Sequence, residues 1–199
     1  MSNWGEHSDR LLFIKQEWDK AEEAIKLAEQ VCGEVVTPSV KELRYAGRRL
    51  VDAIGKIGAG APPSEIDGLL HDAYFDCHRA RHDAIDAATA KIAKVLDIAA
   101  TKIGYEVILK AYPSFSLLFG QLNLVRSRIA VSRGDRENRE RVYASIEAVD
   151  FPALAKEYDN FKAAEPIMKG LAKTERKRRV LNYVIGIAGL LATIFSLLK

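Results

Sequence analysis

The chain of 199 residues carries 30 Lys and Arg against 27 Asp and Glu, a formal charge of +3. At 48% hydrophobic and 29% charged it fits neither a disordered chain nor a polytopic membrane protein. Six prolines, thirteen glycines and only Cys32 and Cys77 as thiols exclude a collagen-like repeat, a disulfide framework and a four-thiolate zinc site.

In chain order the apolar residues follow a helical rhythm, and the expected fold is an all-α bundle of long helices. Ser8 is placed to cap a first helix with the stripe Leu11, Ile14, Trp18, Ala21, Ile25, Ala28 and Cys32, closed by Gly33. A second starts near Thr37-Pro38, shows Val40, Leu43, Gly47, Leu50, Ile54 and Ile57, and ends in the breakers Gly58 to Pro63. Ser64 with Asp67 resembles a capping box opening the longest pattern, from Ile66 to Ala99, whose small residues Ala73 to Ala87 imply a close helix neighbour. Gly104 is a weak point before Tyr112-Pro113. A fourth helix is expected from Phe115 to Arg133, a fifth from Arg136 to Val149 and a sixth from Asp150, with Pro166 breaking or kinking it.

The tail holds the basic excess. Lys173, Arg176, Lys177, Arg178 and Arg179 stand against one acid, Glu175, and with Lys199 also basic this leaves residues 1–172 at −2. Next come 19 residues without charge, Val180 to Leu198, and a membrane-spanning helix needs about 17–25. With Tyr183 near one interface and basic residues staying on the cytoplasmic side, the pattern predicts a single C-terminal transmembrane helix. The expected organisation is a cytoplasmic bundle over 1–165, a basic juxtamembrane helix over 166–179 that also attracts anionic lipid, and a span over 180–198. Met1 to Arg10 lack the apolar run of a signal peptide, so the expected placement is the inner (cytoplasmic) membrane, single-pass, with the N-terminal domain in the cytoplasm. Within the span Asn182, Gly186, Gly189, Thr193 and Ser196 recur at steps of 4, 3, 4 and 3. Small and polar groups on one stripe favour helix–helix contact in lipid, hence an expected homo-oligomer, a ring or pore with a polar inner face.

The densest chemistry lies between His71 and Asp86. His71, His78 and His82 share one helical face and Asp86 falls beside it. His78 and His82 have the four-residue spacing of a metal-ligand pair, but His71 is almost two turns away and no zinc-protease glutamate accompanies them, so no metal and no cofactor are expected. The preferred reading is a polar network or ligand site of Asp76, His78, Arg79, His82 and Asp86 facing Arg44, Arg48 and Arg49 of a neighbouring helix. No catalytic residue is assigned: Cys77 sits on the small-residue seam and phosphate-binding glycine loops are missing. The arginines from Arg126 to Arg141 alternate with acids and lack aromatic interleaving, which reads as a solvated ion-pair face rather than a nucleic-acid surface.

A small helical domain, with residues 39–149 as its bundle, joined to one terminal apolar helix resembles the membrane effectors of prokaryotic antiviral systems, some of which carry helical HEPN-like domains. The HEPN ribonuclease motif, an arginine four to six residues before a histidine, does not precede His71, His78 or His82, so nuclease activity is not carried over. The function expected is a non-enzymatic, self-associating membrane effector or scaffold that perturbs the bilayer. Two alternatives stay open: a tail-anchored adaptor recruiting a protein partner to the membrane, and a metal- or nucleotide-dependent enzyme using the face from His71 to Asp86.

Overall fold

The computed structural model describes the backbone of residues 4–197 except residue 136, and their side chains except those of 192–195 and 197. Helices follow one another as α1 (Trp4–Cys32), α2 (Thr37–Gly58), α3 (Pro63–Ile103), α4 (Tyr105–Ala111), α5 (Phe115–Gly134), α6 (Arg139–Ser145) and α7 (Phe151–Leu197), with a π-helical turn (Ile146–Asp150) joining the last two. No strand occurs among the described residues. The all-α expectation therefore holds.

α3 is the axis of the molecule. Its seam of Ile66, Leu70, Ala73, Cys77, Ala80, Ala84, Ala88, Ile92 and Leu96 is buried, and the small members let α1 and α2 approach from two sides. α1 runs parallel to α3, since Arg10 pairs with Asp67 near one end and Glu34 lies 3.5 Å from Lys91 towards the other. α2 runs antiparallel, with Lys56 on Glu65 and Arg79 reaching Glu42. α1 and α2 meet through Trp18, whose ring a Cβ on Gly47 would approach to 3.3 Å.

Two local expectations change. α1 begins at Trp4, so Ser8 lies inside the helix and its hydroxyl donates back to the Gly5 carbonyl at 3.1 Å. The buried face of α2 is Ser39, Ala46, Ala53 and Ile57, with Leu43 and Leu50 packed at its border, while Val40 and Ile54 are exposed. Rotating the alanines inward brings α2 closer to the alanines of α3 than its larger side chains permit.

α3 stops at Gly104, whose φ of +92° lies in the region that favours glycine. α4 then turns the chain, and α5 returns along α3 with Arg133 on Asp86 at 2.8 Å. α7 closes the core with Phe151, Leu154, Tyr158, Phe161 and Met168, Phe161 packing near Tyr112 and Phe115. It passes through Pro166 without a break, the proline lying exposed on its outer side.

The transmembrane expectation is overturned. No helix among the described residues is long and apolar enough to cross a membrane. The basic cluster Lys173 to Arg179 and the apolar residues after it belong to one helix of 47 residues. The tail anchor, the single-pass inner-membrane placement and the pore fall with the transmembrane expectation.

Candidate functional site

Five polar residues in nearly two turns of α3 divide between two faces. Asp76 and Arg79 face α2, where Arg49 pairs with Asp76 and stands 3.6 Å from Asp72. Arg79 lies 3.3 Å from Asp76 and 3.9 Å from Glu42. Burial, reinforced by the neighbouring Asp76 charge, pushes the Glu42 carboxyl above its usual range. Of the three arginines expected here only Arg49 crosses between helices. Arg48 bonds to Asp52 of its own helix at 3.0 Å, and Arg44 is exposed.

His78, Arg81 and His82 turn the other way, towards α1 and α6. Arg81 is buried, and its guanidinium is the hub of three acidic residues from three elements. Nη1 donates to Glu17 Oε2 of α1 at 2.7 Å and to Glu140 Oε1 of α6 at 3.3 Å. Nε donates to Glu147 Oε2 of the π-turn at 2.9 Å, and Nη2 donates to the same oxygen. Burial alone lowers the Arg81 pKa, but these three carboxylates outweigh it and hold the group charged. Glu17 also receives Lys20 Nζ at 2.6 Å. The π-turn has a visible purpose here: the extra residue of its wider coil carries Glu147 to the guanidinium.

The histidines converge on Glu140. His78 Nδ1 stands 2.6 Å from Glu140 Oε1, and its Nε2 faces Glu17 Oε2 at 3.6 Å. His82 Nε2 is 3.2 Å from Glu140 Oε2, and its ring stacks on Tyr143 with centroids 3.8 Å apart. Burial opposes ionisation of Glu140, yet hydrogen bonds and charge from His78 and His82 hold its carboxyl far below the ordinary value. One turn further along α3, Asp86 accepts from Tyr143 Oη at 2.8 Å and from Arg133 Nη2 at 2.8 Å. Burial and the Asp86 hydrogen bond push the Tyr143 phenol upward. Burial likewise raises the Cys77 thiol to about 12, so it is an inert core group, as its place on the seam implies.

The structure thus brings together His78, His82 and Asp86 from the sequence-derived set and puts Asp76, Arg79 and Arg49 in a separate network. His71 joins neither. It is exposed, with an edge contact to Phe75. Glu17, Arg81, Glu140 and Glu147 were not among the expected residues. One signal for Glu17 was legible: it falls at the three- and four-residue steps between Ile14 and Ala21, a charge on an apolar stripe.

The tail residues form a second candidate surface. Lys173, Arg176, Lys177, Arg178 and Arg179 are exposed, and Glu175 receives Lys110 at 2.7 Å. Asn182, Gly186 and Gly189 lie along the distal part of α7, while the side chain of Thr193 falls outside the described residues. Ser196 is exposed near the helix end.

No protein family, curated protein or solved structure matches the chain.

Proposed function

We propose that the protein is a non-enzymatic, self-associating helical scaffold or effector, in which the bundle around α3 presents the distal half of α7 for pairing with a second copy. The observation that carries this reading is the exposure of Leu181, Val184, Ile187 and Leu190, each more than half exposed on a helix that has left the core. A helix apolar on all sides belongs in a buried setting, and apolar surface of this extent marks an interaction site. The 4, 3, 4, 3 stripe of Asn182, Gly186, Gly189, Thr193 and Ser196 gives the pairing a register. A Cβ at Gly186 would meet no atom within 4 Å beyond its own turn of helix, which leaves room for a partner backbone.

The test is the mass of the full-length protein by light scattering, alone and as Gly186→Leu. A discrete oligomer that becomes a monomer in the variant is the expected result. A monomeric wild type, or an oligomer indifferent to the substitution, rejects the reading.

A further inference from the structure

The structure assigns a site for a ligand bearing clustered phosphate groups to the cationic groove between the α3–α4 corner and α7. The groove has a volume of about 460 Å³, with Lys102 of α3 on one side and Lys173, Arg176 and Arg179 of α7 on the other. Small-ligand sites enclose roughly 300–1,000 Å³, so a di- or triphosphate group fits the space.

The charge balance of the groove calls for an anion. Its four cations face a single acid, Glu175, and that acid is already engaged. Glu175 Oε1 accepts from Lys110 Nζ at 2.7 Å, and Oε2 lies 3.7 Å from Arg179 Nη2. The hydrogen bond from Lys110 holds the Glu175 carboxyl below its usual range. Lys102, Lys173 and Arg176 are exposed, and none has an ion pair among the described residues. Like charges gathered around one concavity repel one another, and a multivalent anion seated between them relieves that repulsion.

The fold, rather than the basic run alone, makes the groove. Positions 173, 176 and 179 fall within about 120° of the α7 circumference, and Lys102 comes to them from the last turn of α3. The Lys110–Glu175 pair holds α4 against α7 beside them. Arg178 lies about 160° round the helix from Arg176 and does not line the groove. Val107 and Ala172, buried and half-buried, add an apolar lining that focuses the field of the cations. The C-terminus of α3 opposes an anion with only about half an elementary charge. The two guanidinium groups supply planar forks that match phosphate oxygens, and the two lysines act as point charges. Every lining residue belongs to one chain, so the inference is independent of whether α7 pairs with a second copy.

The experiment titrates full-length protein with inorganic triphosphate in a calorimeter, at about 0.15 M salt so that loosely attracted ions are screened. A second arm sediments the protein with phosphatidylcholine vesicles, with and without cardiolipin, whose headgroup carries two phosphates. Triphosphate binding at one per chain, with a Kd below about 1 mM, identifies a soluble phosphate ligand. Binding only to the cardiolipin vesicles identifies the same chemistry on a lipid headgroup. In whichever arm binds, Lys102→Gln and Arg176→Gln should each weaken binding by about tenfold or more. Arg178→Gln removes the same charge from the far side of α7 and should weaken it by less than about threefold. Equal losses in the three variants mean attraction to the net charge of the tail and overturn the site. Binding in neither arm overturns it too. All three side chains are exposed, so the variants keep the fold and the comparison stands.

Discussion

Arg81 shows how a single buried side chain organises this protein. Removing one member of a buried ion pair leaves the partner charges uncompensated, a loss of about 3–5 kcal/mol where the rest of the site cannot relax. Arg81→Ala strands Glu17, Glu140 and Glu147 together, so a destabilisation of that size is expected from urea unfolding followed by circular dichroism. A change under about 1 kcal/mol would mean that water reaches the carboxylates. The sequence made His78 and His82 visible because a helical period alone puts them on one face. It could not pair them with Glu140, nor Arg81 with Glu17 and Glu147, across separations of 58 to 66 residues. Such pairings arise only when α1, α6 and the π-turn close on α3. The split of the expected network has the same origin, since residues 76 and 79 turn to α2 and residues 78, 81 and 82 to the opposite side.

For the helices, the heptad pattern was a reliable guide wherever the stripe was unambiguous. On α1 and α3 the expected stripes coincide with the buried residues almost throughout, because helix period and burial are the same constraint there. On α2 two stripes competed, one of larger aliphatic residues and one centred on alanines, and close packing against α3 chose the alanines. That choice predicts sensitivity to volume. Ala84 has no exposed surface, so Ala84→Leu should cost about 1–3 kcal/mol through overpacking and lower the thermal midpoint accordingly. Ala90→Leu on the exposed side of the same helix should stay within about 0.5 kcal/mol. Equal midpoints for the two would contradict the tight α2–α3 seam.

At the scale of the whole molecule the core ends well before α7 does. Among the described residues Met168 is the last fully buried side chain on that helix, and Glu175 the last with an ion pair back to the bundle. A chain ending at residue 179 should therefore unfold with the same midpoint as the full-length protein while losing the ability to oligomerise. A lower midpoint for the monomeric truncated chain would place part of the distal helix in the core. The sequence by itself determined the helical class, most helix limits, the small-residue seam and the inert cysteines. All of these follow from short-range periodicity and backbone preference. Tertiary structure decided which face of α2 is buried, which acids meet Arg81 and the histidines, and where α7 leaves the core. These depend on distances between residues remote in sequence, or on where a helix leaves the core, and no local pattern encodes either.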